Sequence, residues 1–505
     1  MSKKKFVKNI KNLISQIKKD KKTIALCHGC FDLLHPGHIY HLEESKNKAD
    51  ILIVSVTTDD FVDKGSGRPY FKLKERIKAL SSLTFVDYVI ESRTESALRN
   101  IDLVKPDFYC KGPDYKDIKS DLSGKIIKEI SAVKKNKGDI YITSSKSFSS
   151  TKAINNSFNF NHDQIKFIRS INKKYSFKQL MDIIRKLKEL EITIIGEAII
   201  DIYQNCDPLG KSGKEPILIF SKKNTQIFLG GSLAIANNTA SFVKKVNLIS
   251  YLGNKQQHSK RIKINLKKNV NFQYVKKSNS PTIEKQRFIE TYSNKKILGI
   301  YNLNDTFLNK KEENKIIDLF TKISKQDILI LIDYGHGLFT NNIIKRAQNK
   351  KIFKVVNSQL NSSSIGAHTV NNFKIHDLII FNEAEIRYEM RDKISSLELL
   401  IKKISVRFKT VYITVTRGSE GSILFNKIKN KFYYCPGFAR NIVDKVGAGD
   451  SMIPLLSLIL KVFKDEDLAL FLSSLAAAEI VSVRGNEKSI ENKEFLKNLE
   501  YTIKV

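Results

Sequence analysis

The chain has 505 residues, and its 87 Lys and Arg against 52 Asp and Glu give a formal net charge of +35. Hydrophobic residues make up 41%, which excludes global disorder despite the charge and supplies the cores of two or three domains. The longest apolar run, residues 452–460, is interrupted by Pro454 and Ser457 and falls well short of the roughly 20 residues a membrane-spanning helix needs.

The Lys-rich start leads into no unbroken apolar stretch, so no signal peptide is expected. Five Cys, an odd number, argue against a disulfide framework. The expectation is a reducing, cytoplasmic, multi-domain globular protein. The positive excess is mostly Lys and travels with abundant Ile and Asn, residues that share A/T-rich codons. Basic residues are spread along the chain, so nucleic acid is not an expected partner and the charge serves solubility and attraction of anions.

In chain order, β-branched runs at residues 23–27, 51–57, 86–90, 107–110 and 139–143 predict strands. Helix-period segments lie between them, at 38–48, 72–83 and 95–104. Strands alternating with helices predict βαβ units and a parallel sheet, with ligands at the carboxyl ends of the strands. A polar stretch, 155–163, reads as the end of this unit, and 161–189 as a linker with a leading helix over 176–190. A second α/β pattern begins at Ile192 (ITIIGEAIIDIY), with further strands predicted at 216–220, 328–333, 378–381 and 411–415. The predicted domains are 1–160 and 190–505.

Glycine is scarce, so its clusters are informative. The first follows the first predicted strand, in HGCFDLLHPGHIYHL. A tight turn leads to His35 and His38, three apart at a helix start, where residues i and i+3 share a face. Free N–H groups and the partial positive charge of that helix end suit a phosphate, and two imidazoles can hold charge that builds on phosphorus under attack. Cys27, Cys30, His35 and His38 superficially form a zinc set, but Cys27 sits inside an apolar strand and the spacing between pairs is short, so zinc is not expected.

These residues resemble the HxGH nucleotidyltransferase superfamily of cytidylyltransferases and related adenylyltransferases. Lys64-Gly65 with Gly67-Arg68-Pro69, Glu75-Arg76, Lys111-Gly112-Pro113-Asp114-Tyr115 and Ser149-Ser150-Thr151 follow in the family's order over about residues 20–158. The resemblance implies a Rossmann-like fold, with His35, His38 and Lys64 stabilising the reacting phosphates. It implies that Gly29, Phe31, Arg68, Lys111, Asp114, Ser150 and Thr151 bind the nucleotide.

The second constellation is Val443-Asp444-Lys445-Val446-Gly447-Ala448-Gly449-Asp450-Ser451, ahead of an apolar helix. Small residues let backbone N–H groups approach an anion there, and an Asp in the same turn can take a proton from a hydroxyl. Its companions are Gly230-Gly231, Asn382-Glu383-Ala384-Glu385, and Thr416-Arg417-Gly418 with Gly421. Together they resemble the ribokinase-like (PfkB) sugar kinases over about residues 190–500. The resemblance implies Asp450 as general base and Gly447, Ala448 and Gly449 as an anion hole. Asn382 and Glu385 would organise Mg2+ and its waters, Thr416 and Gly418 line the ATP site, and Asp201, Gly230 and Gly231 meet the sugar.

Both halves together resemble bifunctional heptose-phosphate kinase / heptose-1-phosphate nucleotidyltransferase proteins, with the two domains in reversed order. Asp333-Tyr334-Gly335-His336-Gly337 resembles that family's D-Y-x-x-G segment. Ala234 replaces an expected Asn, Asn357-Ser358-Gln359 replaces D-P-K, and Glu197 stands in place of Asp. These changes are expected in the sugar-binding part. The implied function is a two-step α/β enzyme making a nucleotide-activated sugar, using ATP, Mg2+ and, in the transferase step, ATP or CTP. The alternative is an active transferase on glycerol or polyol phosphate with a degenerate kinase half. Expected partners are sugar phosphates and nucleotides, with a homodimer left open.

Overall fold

The computed structural model describes residues 5–7, 10–62, 68–113, 125–144, 160–254, 258–359 and 369–505. The chain divides into two compact units, Met1–Asn161 with Lys504–Val505, and His162–Ile503.

In the first unit, β1 (Ile24–Gly29), β2 (Ile51–Thr57), β3 (Tyr88–Ser92), β4 (Phe108–Lys111) and β5 (Asp139–Ile142) form one sheet in the order β3-β2-β1-β4-β5. All neighbours are parallel. Alternate residues of β1 enter two cores, Ile24 and Leu26 in one and Ala25 and Cys27 in the other. Both faces are therefore covered, which is why its strands read as apolar runs. The strand order reverses between β1 and β4, and ligands of such sheets bind at the carboxyl ends flanking that point. The predicted strands are all present, displaced by up to two residues at their ends.

The second unit contains two sheets. The larger has the order β10-β9-β6-β13-β14-β15-β16-β17-β18. Its strands are β6 (Glu191–Gly196), β9 (Lys245–Gly253), β10 (Val270–Lys277), β13 (Ile328–Asp333), β14 (Phe353–Ser358), β15 (Leu378–Asn382), β16 (Tyr412–Thr416), β17 (Ser422–Asn426) and β18 (Lys431–Cys435). All neighbours are parallel up to β16, after which β17 and β18 run antiparallel. The smaller sheet has the order β12-β11-β7-β8, built from β7 (Ala198–Lys211), β8 (Leu218–Gly231), β11 (Ile283–Glu290) and β12 (Lys296–Asn302).

In the segment that opens the second α/β pattern, Glu197 separates β6 of the large sheet from β7 of the small one. The 161–189 segment contains two helices of the second unit, His162–Lys174 and Phe177–Lys186. The first buries Ile168 and Ile171 and sets Phe167 against Phe438 and Phe471. Ser176 and Gln179 form a reciprocal capping box that starts the second. Among the described residues no helix is long and apolar enough to cross a membrane. The five Cys are all buried and unbridged.

Candidate active sites

In the first unit, the turn after β1 feeds the helix Pro36–Lys46. His35 is its N-cap: its Nδ1 accepts from the His38 N–H at 3.3 Å, and Pro36 occupies the first helical position. The two imidazoles stack with centroids 3.9 Å apart and planes at 21°. Phe31 adopts φ +48° and packs its ring 5.4 Å from His38, with Gly29 beneath it at the end of β1. Gly29, Phe31, His35 and His38 thus converge at the switch point of the sheet. The geometry can cradle a phosphate between a helix N-terminus and two imidazoles.

The remaining candidates of this unit divide. Arg68 is buried, its Nε paired with Asp32 at 2.5 Å, while Asp32 also accepts from the N–H groups of Tyr70 and Phe71. Lys111 ends β4, and its ammonium pairs with Glu129 at 3.0 Å inside the unit. Glu129 is held in turn by the Tyr109 hydroxyl and the Ala97 N–H. Lys64, Asp114, Ser150 and Thr151 lie outside the described residues. Cys27 sits in register with Cys110 on the neighbouring strand.

In the second unit, the candidates sit at the carboxyl ends of the large sheet and on the small one. Gly447, with φ +84°, caps the helix Ala448–Val462, and a Cβ there would meet Asn486 Oδ1 at 2.5 Å. Gly449 faces open space. By helix geometry the N–H groups of Gly449 and Asp450 point out of the helix start, an arrangement suited to an anion, while the Ala448 N–H donates to the Lys445 carbonyl at 3.4 Å. Asp450 accepts from Tyr334 Oη at 3.1 Å and from Gln359 Nε2 at 2.6 Å. Burial lifts its carboxyl to about 6, against the lowering effect of the Tyr334 hydrogen bond.

Asp201 on β7 pairs with Arg287 on β11 at 2.5 Å and receives Asn486 Nδ2 at 3.4 Å. Gly230, on β8, makes this possible: a Cβ there would lie 2.2 Å from Asp201 Oδ2. Gly231, with φ +55°, caps the helix Ser232–Ala240. Gly230→Ala is expected to displace the Asp201 carboxylate and raise KM for the phosphoryl acceptor about tenfold or more, with little change in melting temperature. Steady-state kinetics beside a thermal scan checks this.

Asn382 and Glu385 form a capping box at the end of β15. Asn382 Oδ1 accepts from the Glu385 N–H at 2.8 Å, and Glu385 Oε2 from the Asn382 N–H at 2.7 Å. Thr416 lies opposite Asn382 in the β15–β16 register, and Gly418 turns the chain beyond it with φ +58°. Among the described residues no three His, Cys, Asp or Glu gather as a metal site. The donor set fits Mg2+ held chiefly by nucleotide phosphates and waters, with one carboxylate nearby, which is how Mg2+ is commonly bound.

The sequence departures fall in three places. Glu197 is fully buried and accepts from the N–H groups of Tyr334 at 3.0 Å and His336 at 3.2 Å. It shapes the loop after β13, and the longer Glu reaches both groups. Burial, then the neighbouring Asp333, lifts it to about 7. Gln359 meets Asp450. Ala234 lines a cavity of about 150 Å3 with Leu229, Asn237 and Asn486. Residues missed by sequence reasoning are Lys285 and Arg287. They sit in IEKQRFIE, a charged strand with no turn or glycine to mark it. Lys285 is buried with its ammonium 5.6 Å from the Tyr334 ring centroid, and burial lowers its pKa.

The folds and sites define a sugar-kinase unit joined to a nucleotidyltransferase-type unit. The pfkB family carbohydrate kinase model matches residues 189–493, and the chain belongs to that family. The cytidylyltransferase-like model matches residues 26–156. Over this first part the chain is 38% identical to the bifunctional protein HldE of Desulfatibacillum aliphaticivorans across 130 residues, 24% of this chain and 27% of the relative. It is 40% identical across 119 residues to the protein of the same name from Campylobacter jejuni, 23% of this chain and 26% of the relative. These matches span about a quarter of the relatives' length. In fold, the chain is similar to phosphofructokinase-2 from Escherichia coli, with a TM-score of 0.52 and 15% identity, over 62% of this chain and 99% of that one.

Proposed function

We propose that the chain is a two-step enzyme of nucleotide-activated, heptose-type sugar synthesis in the cytoplasm. The second unit transfers the γ-phosphoryl group of ATP to a sugar or sugar phosphate. The first couples the resulting sugar 1-phosphate to a nucleotide from ATP or CTP and releases pyrophosphate. The observation that carries this reading is the pair of helix starts, His35–His38 and Gly447–Asp450, each beside the carboxyl ends of parallel strands and each suited to phosphate.

In the kinase step, Asp201 orients sugar hydroxyls, Arg287 and Lys285 supply positive charge, and Asp450 takes the proton of the attacking hydroxyl. The helix-start N–H groups meet the transferring phosphoryl group. Mg2+, when bound, neutralises phosphate charge, with Asn382 and Glu385 ordering its waters. In the transferase step, His35 and His38 hold charge on the attacked phosphate, with Lys64, Arg68, Lys111, Asp114, Ser150 and Thr151 along the nucleotide. Mass spectrometry after incubation with ATP, CTP and candidate heptose phosphates tests the reading. A sugar 1-phosphate with ADP, then a nucleotide sugar with pyrophosphate, is expected; absence of both products sinks it.

The second reading, a transferase acting on glycerol or polyol phosphate beside a degenerate kinase, draws on Ala234 and Gln359. The retained Asp450 and Asp201 geometry favours the first.

We also propose a homodimer through the small sheet. Its edge strand β12 is exposed throughout, with Leu298 at 55% and Ile300 at 52%. An unpaired apolar edge of this kind suits pairing with a second copy. Leu298→Asp with Ile300→Asp is expected to convert a dimer to a monomer in light-scattering chromatography; a wild-type monomer at micromolar concentration would refute the interface.

A further inference from the structure

Both carboxylate oxygens of Asp450 are taken by side chains from elsewhere in the unit. Tyr334, after β13, donates its hydroxyl to Oδ2, and Gln359, after β14, donates its amide to Oδ1. The Gln359 backbone N–H also donates to the Asp333 carbonyl at 2.9 Å, which ties the two loops together. The charged groups facing Asp450 are Asp201 from β7 and Lys285 from β11.

The chemistry of these two partners sets them apart from a cation. A Tyr hydroxyl and a Gln amide are neutral, and each can donate or accept. A Lys, which the D-P-K pattern places at 359, only donates, and its charge would stabilise the carboxylate and weaken it as a base. A general base changes from acceptor to donor when it takes a proton, so a partner able to reverse its role stays bonded in both states.

We propose that Gln359 is a positioning residue for Asp450, its amide donating to the carboxylate before proton transfer and, turned over, accepting from the carboxylic acid afterwards, while Tyr334 holds the second oxygen. The proposal rests on the kinase reading above. In the step, the proton of the sugar hydroxyl passes to Asp450 and the hydroxyl oxygen bonds the γ-phosphorus of ATP. The bond from that phosphorus to the β,γ-bridging oxygen breaks, and ADP leaves with the electron pair.

Three variants of the full chain test it. Gln359→Leu is expected to lose about tenfold in kcat with KM within about twofold. The acid limb of the kcat–pH profile is expected to move down by about one unit in Gln359→Lys and up by about one in Gln359→Glu. A limb that moves the same way in both charged variants, or in neither, overturns the proposal.

A second readout needs no turnover. The Asp450 carboxyl is raised in the folded protein, so stability relative to Asp450→Asn is greatest below about pH 4 and is lost as pH rises through about 6. In Gln359→Lys this loss is expected to end at lower pH, and in Gln359→Glu at higher pH. Identical melting titrations in all backgrounds overturn the proposal. A wild-type chain that phosphorylates no sugar removes the kinase reading, and the melting titration then decides the Gln359–Asp450 coupling by itself.

Discussion

Asp450→Asn is expected to lower kcat for ATP-dependent sugar phosphorylation about a thousandfold, with KM within about threefold. The side chain keeps its size, and Tyr334 and Gln359 can still bond to an amide. The loss is therefore of basicity and not of architecture. The wild-type profile carries its own signature. A base raised to about 6 by burial is ionised above that pH, so kcat should fall about tenfold per unit below it and level off above. Pyrophosphate release by the first unit should be unchanged in the variant, because its helix start lies in a separate compact unit. A variant that retains more than about a tenth of wild-type kcat would remove Asp450 from the role of base.

His38→Ala is expected to lower nucleotidyl transfer between about a hundredfold and a thousandfold while sugar phosphorylation continues. His38 is a cleaner target than His35. The His35 side chain caps the helix Pro36–Lys46, so its removal costs about 1 kcal/mol of local stability as well as charge stabilisation. His38 lies one turn inside, and its loss removes the stacked imidazole without removing the cap. Pyrophosphate release measured beside ADP formation separates the two units. Equal loss of both activities in a folded His38→Ala protein would contradict two independent sites.

Arg68 and Lys111 are both buried against carboxylates, Asp32 and Glu129. Breaking such a pair leaves a buried charge uncompensated, so these residues hold the fold of the first unit.

The parts of this protein that sequence made legible are local ones. His35, Pro36, Gly37 and His38 make a cap, a first turn and a one-face pair within four residues. Gly447 to Asp450 make a left-handed cap and a helix start within four. Such turns depend on backbone freedom and helix geometry, which act over a few bonds and leave marks in residue order. The parallel strands were legible for a related reason: covered on both faces, they read as unbroken apolar runs, as β13 does with all six residues buried.

The small sheet was only partly legible: the predicted strand at 216–220 falls on the start of β8, but β8 is buried only over its last three residues and β12 is exposed along its whole length, so most of the sheet carries no clean alternation. The partners of the candidate catalytic groups were invisible too. Tyr334 and Gln359 reach Asp450 across 116 and 91 residues of sequence, and Arg287 reaches Asp201 across 86. Sequence alone determined the two helix-start turns and the parallel strands that lead to them. Only the tertiary structure decided which side chains close around those turns, because hydrogen bonds and ion pairs between distant strands depend on sheet order and register, which no local pattern encodes.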